Sequence, residues 1–364
     1  MQINKVIQVL EELAPLNYAE DFDNVGLLVG DATQEVSGIL VSLDTLEETV
    51  EEAIAENCNM IVSFHPIIFG GLKKLTGKNY VERVVMKAIK NDIAIYAIHT
   101  ALDNSFVGVN AKIAEQLGLQ NKKILLPQAQ TILQLTTYVP KKDAEKVREA
   151  LFSAGAGSIG NYDNCSFSIE GLGSFNANEN ANPTVGKKGE THFEEEVQLN
   201  LTFPRHLQSR VVNTLQNAHP YEEVAYEVYK LENKNQHIGI GMYGNLQEAF
   251  TEEDFIERLK EIFNPHCVRH SHFSGKKIKT VAVLGGSGAF AIEQAKAVKA
   301  DAYVTADLKY HDFYKAENKL LLADIGHYES EQYTKDLIHS YLTKKFRNFA
   351  VVLSQKSTNP IQYS

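Results

Sequence analysis

The sequence predicts an α/β protein: one α/β domain split in sequence, with a smaller α+β domain threaded through it. Three observations lead there. Short apolar runs alternate with amphipathic helical stretches in the first third of the chain and again in the last third, the rhythm of a parallel sheet buried on both faces. Between them the strands become partly polar and two β-α units follow each other, the pattern of a ferredoxin-like α+β domain. The passages into and out of this middle segment, near Pro127 and Asn235, are polar and suited to an insertion. The expected boundaries are 1–127 and 236–364 for the split domain and 128–235 for the inserted one.

In order along the chain, MQINKVIQVLEEL carries acidic residues inside an apolar helical pattern and reads as an amphipathic helix, not a signal peptide. GILVSLD (38–44) reads as a strand running into a helix over TLEETVEEAIAEN, with Asp44 and Glu47 at capping-box spacing. MIVSF is a strand, YVERVVMKAIKND a helix, and AIYAIHT (94–100) a strand. In the middle, TILQLTTYVPKKDAEKVREALFSAGAG reads β-α with a glycine-rich stop. NENANPTVGKKGETHFEEE is polar and turn-rich, a loop. VQLNLTFPRHLQSRVVNTLQNA is β-α again, and VAYEVYKL closes the domain. In the last third TVAVLGGSG (280–288) is a strand with a glycine turn, AIEQAKAVKA a helix, DAYVTAD and KLLLADIGH strands, and YESEQYTKDLIHSYLTKKF one helix.

Bulk properties narrow the function classes. A chain of 364 residues exceeds the usual size of one domain. Its net charge of −10 argues against bulk attraction to nucleic acid or anionic membrane. No run of eighteen uncharged apolar residues offers a membrane span. Cys58, Cys165 and Cys267 are far apart and odd in number, which fits neither a disulfide framework nor a Cys-based zinc site. They read as reduced thiols of a cytoplasmic protein.

Ligands of parallel sheets gather at the carboxyl ends of strands, and His65, His99 and Asp103 fall at such ends. In GHYESE, His327 and Glu331 are four apart, so a helix starting there puts both on one face. Together His65, Asp103, His327 and Glu331 make a mixed N/O set, better suited to Zn, Fe or Mn than to Ca or Mg. Taken singly, a strand-end histidine is more often a hydrogen-bonded structural residue, and a helix-start His/Glu pair a solvated one. Pro66 removes a donor and holds His65 extended.

Other signals weigh less. NPHCVRHSHF (264–273) alternates His266, His270 and His272 on one strand face and matches no common metal spacing. GGSG (285–288) lacks both phosphate-loop patterns and reads as a tight turn, with a substrate phosphate contact as the alternative. Asp307 and His311 in DLKYHDF, with Thr305, suggest side chains that orient ligands or touch substrate. Asp23 and Asn24 suggest a turn, and His219, Tyr221 and Glu222 packing in the middle domain.

The stretches EDFDNVGLLVG, VSFHPIIFGGLK, AIHTALDN, VAVLGGSG, DAYVTADLKYHDF and DIGHYESE occur in an order that resembles the GTP cyclohydrolase I type 2 homologs, the Nif-three-like family. GAGSIGNYDNCSFS, NPTVG and HPYEEVAYEVY resemble the CutA/PII-like insertion of its longer bacterial members. The resemblance implies a toroidal homohexamer with a two-metal site facing an internal cavity. The matched ligand positions are His65, Asp103, His327 and Glu331, with Glu331 bridging. It also exposes a departure: the family usually writes His-His-Pro, and this chain writes Phe64-His65-Pro66. One imidazole is missing, so one ion is expected to be held well and a second only with help from water or His99.

Two functions compete. One is a metal-dependent hydrolase acting on an unidentified small molecule, with one or two ions per subunit and His99 or His311 moving protons. The other is a non-catalytic metal-binding regulatory or scaffold protein, for which occupancy suffices.

Overall fold

Five apolar runs that the sequence marks as interior strands are buried at every position in a computed structural model, which describes all 364 residues. The fold is mixed α/β and the chain forms two compact units, Met1–Pro127 with His237–Ser364, and Gln128–Gln236. In chain order the strands are β1 (Gly26–Val29), β2 (Ile39–Ser42), β3 (Met60–Ser63), β4 (Ala94–Ala97), β5 (Gln120–Pro127), β6 (Ile132–Pro140), β7 (Phe167–Asn176) and β8 (Thr191–Pro204). There follow β9 (Tyr226–Lys230), β10 (Gly239–Phe250), β11 (Arg269–His270), β12 (Ile278–Ser287), β13 (Ala302–Ala306), β14 (Leu321–Asp324) and β15 (Val351–Leu353).

The first unit holds two sheets, ordered β1-β4-β3-β2-β15 and β11-β14-β13-β12-β10-β5. Within them β4-β3-β2-β15 and β12-β13-β14 run parallel, while β1, β5, β10 and β11 are antiparallel to their neighbours. One continuous core draws on both sheets, through Ile39, Val62 and Tyr96 from one and Val281, Val304 and Ala323 from the other. The helices Ile3–Leu13, Val109–Gln116, Glu252–Phe263 and Thr334–Lys345 contribute Leu10, Ile113, Phe255 and Leu342 to it. The opposite face of the first sheet is covered by Val50, Ala53, Val84 and Ala88 of two further helices, so a parallel sheet buried on both faces follows directly from its apolar strands.

The second unit is a wholly antiparallel sheet, β7-β8-β6-β9. Helices Ala144–Ser153 and Gln208–Ala218 bury Val147, Leu151, Val211 and Leu215 against Leu133, Leu135, Leu199 and Leu201 on one face. Two β-α-β passages interleave, β8 lying between β6 and β7.

Several local expectations need correction. Asp44 does not cap the following helix: Leu46 takes that place, its N–H donating to Thr49 Oγ1 at 3.1 Å. The strand expected over 94–100 stops at Ala97, and His99–Asp103 is a helical turn. The single helix expected after His327 is two, His327–Glu331 and Thr334–Lys345. Gln332 Nε2 bonds the Glu329 carbonyl at 3.0 Å, the acceptor that would carry the first helix onward. The polar HFEEE stretch is not loop but the start of β8, paired with β7 from Asn176↔Thr191.

Candidate metal centre

The centre is assembled by strand register. In β2 and β3, Ser42 pairs with Ser63, and each strand ends two residues before a polar side chain, Asp44 and His65. Parallel pairing therefore sets the carboxylate beside the imidazole: His65 Nδ1 donates to Asp44 Oδ1 at 2.8 Å. The second sheet repeats the device. Thr305 pairs with Asp324, and beyond those ends His327 Nδ1 donates to Asp307 Oδ2 at 2.7 Å. A third pair comes from the antiparallel edge, where Gly26 faces Ala97 and His99 Nδ1 donates to Asp23 Oδ1 at 2.9 Å.

An ionised carboxylate only accepts, so each Nδ1 carries the proton and a neutral ring presents a bare Nε2. His65 and His327 both bring Nε2 to 3.2 Å from Glu331 Oε2. Neither nitrogen lies in hydrogen-bond geometry with that oxygen, which is buried without a partner. The rings of His65 and His327 are 5.6 Å apart, and those of His65 and His99 5.2 Å. Asp103, one helical turn from His99, is buried with its Oδ1 also unpartnered.

Charge follows from this crowding. Burial opposes ionisation of Glu331, but the two adjacent imidazoles outweigh it and hold the carboxyl down at about 2. Burial likewise works against a charged His65, yet Asp44 and Glu331 push its pKa up to about 10. Asp307 and Glu331 push His327 up to about 11. Asp23 is also opposed by burial and is drawn down to about 2 by His99 and Thr100. Asp103 goes the other way: burial first, then repulsion from Glu331, raises its pKa.

These groups are held from behind. Thr358 Oγ1 donates to Asp44 Oδ2, and Ser287 Oγ to Asp307 Oδ2. Buried Asp324 receives the amides of Leu308 and Gly326 at 2.9 and 3.1 Å, which fixes the loops carrying Asp307 and His327. Gly286 sits at φ +66°, and a Cβ there would fall 2.4 Å from Glu331 Oε1. The glycine is what lets the carboxylate lie against the strand.

The donor set fits a divalent metal. His65, His327 and Glu331 offer donor atoms within 4.8 Å of one another, an N,N,O set typical of Zn, Fe or Mn. Two buried carboxylate oxygens without partners are otherwise costly, and imidazoles tethered at Nδ1 by carboxylates are the usual backing of metal-bound histidine. Beside them a cavity of about 450 Å³ is lined by His99, Asp103, His327 and Glu331 together with Phe22, Phe290 and others.

Of the residues expected from sequence, His65, His327 and Glu331 therefore converge, with His99 and Asp103 alongside. His311 does not join them: it is exposed on the turn after β13, edge-on to Tyr310. Phe64 is fully buried in the core, its ring 4.8 Å from His65 and edge-on to His99 at 5.4 Å. The glycine turn offers little to a phosphate, since Gly285 N–H donates to Asn110 and Gly286 N–H to Ser330. In the histidine-rich stretch, His270 bonds its neighbour's carbonyl and His266 stacks on Tyr363. Sequence reasoning missed Asp44 as a partner of His65. The available signal was its place two residues past the strand beside His65's own.

Tethered imidazoles around a buried acid, at the strand ends of two facing sheets, define a candidate metal-binding α/β protein. The comparisons agree on the family. The description Duf34/NIF3 (NGG1p interacting factor 3) matches residues 1–360, and the chain belongs to that family. Among its relatives, a GTP cyclohydrolase 1 type 2 homolog of Bacillus subtilis is 38% identical over 366 residues, spanning 99% of this chain and 98% of that protein. A Staphylococcus aureus homolog of the same name is 35% identical over 368 residues and the full length of both. The crystal structure of a Bacillus cereus protein related to NIF3 matches with a TM-score of 0.89 at 39% identity, over 100% of this chain and 99% of that one. A Staphylococcus aureus crystal structure follows at 0.80 and 32%, with the same coverage.

Proposed function

We propose that this protein is a metal-dependent hydrolase of small molecules, with its primary ion on His65, His327 and Glu331. One observation carries the reading: two imidazole nitrogens lie 3.2 Å from a buried carboxylate oxygen that has no hydrogen bond. A divalent ion held there would polarise a substrate oxygen and render water nucleophilic near neutral pH. Asp44 and Asp307 fix the tautomer and aim of the two histidines. His99, kept in place by Asp23, lines the cavity and is the group positioned to move a proton. Asp103 would supply a donor for a second ion, but Phe64 supplies no ligand, so that position would be the weaker one.

The name carried by the relatives suggests action on GTP, and no residue pattern of this chain reads guanine. Two finer readings rest on the family resemblance and on topology: that residues 128–235 form a CutA/PII-like insertion, and that the chain assembles as a toroidal homohexamer in the cytoplasm. Phe64 favours a second reading, a regulatory metal-binding protein, because a sensor needs one occupied site and no turnover.

The test is elemental analysis of protein purified with Zn, Mn or Fe, beside turnover on a panel of phosphoesters, amides and nucleotides. The expected result is one firmly held ion per chain, lost in His65→Ala, with turnover lost in step. Ion-free wild type refutes both readings; an ion-bearing but inert protein leaves the regulatory one.

A further inference from the structure

The cavity beside the candidate centre has an unusual wall for a nucleotide site. None of its twelve lining residues is Lys or Arg, while Glu20, Asp103 and Glu331 place three carboxyls on it. Even one divalent ion with neutral imidazoles would do no more than balance Glu20 and Glu331, leaving the wall no net positive charge. A triphosphate brings further negative charge and would meet no guanidinium or ammonium to pair with. The nearby backbone cannot replace them, because the amides of Gly285 and Gly286 already serve Asn110 and Ser330.

The rest of the wall is apolar. Ile240 and Leu284 line it, and Phe22 and Phe290 present rings that are 67% and 63% exposed. Phe22 keeps a tilted neighbour in Phe69, ring centres 6.4 Å apart. Exposed phenyl rings in a cavity of ligand size, facing a polar cluster, match sites that seat a flat ring against apolar walls while a few polar groups fix its orientation.

Resting on the hydrolase reading for the orientation of the ligand, we propose that this cavity takes an uncharged, planar, ring-bearing molecule. Its ring lies against Phe22 and Phe290, and its carbonyl or amide faces the His65, His327 and Glu331 group. The site discriminates against nucleoside triphosphates. The molecule it takes is a nucleoside-like or other heteroaromatic compound without phosphate.

Isothermal titration of the full-length protein with guanosine and with GTP tests this directly, with metal content measured on the same samples. Guanosine should bind at least about ten-fold tighter than GTP, and Phe22→Ala and Phe290→Ala should each weaken guanosine by about ten-fold without lowering the melting temperature. Equal or tighter binding of GTP, no binding of guanosine, or indifference of guanosine to both substitutions overturns the proposal. Ion-free protein that still prefers guanosine in this Phe-dependent way overturns the hydrolase reading and leaves this one standing.

Discussion

Replacing Asp44 by Asn isolates what the strand-end carboxylate does. The wild-type carboxylate accepts from His65 Nδ1 at Oδ1, 2.8 Å away, and from Thr358 Oγ1 at Oδ2, while His65 Nε2 faces Glu331. An amide keeps the size and can still accept one hydrogen bond, but it loses the charge that makes the imidazole a strong donor to metal. Partners of this kind are worth 10–100-fold in metal affinity, roughly 1.4–2.7 kcal/mol. We expect Asp44→Asn to weaken Zn binding by that factor in competition with a chromophoric chelator. Thr358→Val, which only loosens Asp44, should cost less than about ten-fold. Glu47→Gln is the control: Glu47 pairs with exposed Arg83 and should leave the affinity unchanged. If Asp44 acted instead as a helix cap, Asn would substitute well and the affinity would not move. Unchanged Zn affinity in Asp44→Asn, with His65→Ala abolishing binding, would therefore refute the tether argument.

Three further outcomes follow from the same geometry. Phe64→His replaces a fully buried ring beside His65 and His99; it should cost about 1–3 kcal/mol in chelator, by urea unfolding, and raise firmly bound Zn from one ion to two, so an unchanged metal count would count against the missing-ligand argument. Gly286→Ala puts a methyl 2.4 Å from Glu331 Oε1 at φ +66°; we expect a loss of about 1–3 kcal/mol with weakened metal binding, and wild-type behaviour in both would contradict the close approach. In the second unit His219 donates from Nε2 to the Tyr138 carbonyl at 2.9 Å and accepts the Tyr221 N–H at Nδ1, 3.1 Å away. Burial lowers its pKa from 6.5, so the unfolded chain binds the proton more readily and stability, complete above about pH 6.5, falls as the pH drops below it. His219→Phe should remove that part of the acid slope in urea midpoints taken between pH 7.5 and 5.5, and an identical slope in both proteins would refute it.

Much of the scaffold was legible. Runs such as MIVS and AIYA could only be interior strands, and Leu10 and Val6 fall on the buried side of the first helix as their spacing requires. Short-range competition hid the rest. HTALD reads as the end of a strand because it follows apolar residues, yet five residues suffice for one helical turn, and that turn brings Asp103 to the same cavity as His99. Asp44 before a helix has the sequence signature of a cap, and nothing local distinguishes a cap from a carboxylate turned toward the next strand. The polar start of β8 was unreadable because its half-buried face carries His192, Glu194 and Glu196 while Phe193 is exposed, so the pairing leaves no apolar alternation.

By itself the sequence determined the kinds of donor and where along the chain they stand: imidazoles and acids just past buried strands, with Phe64 directly before His65. Only the tertiary structure decided which acid meets which ring, joining Asp44 to His65, Asp23 to His99, Asp307 to His327, and Thr358 to Asp44 across 314 positions. The reason is physical. Alternation along a strand records which face a side chain takes, but the neighbour it finds there depends on the register between strands, and register is set by the packing of the whole core.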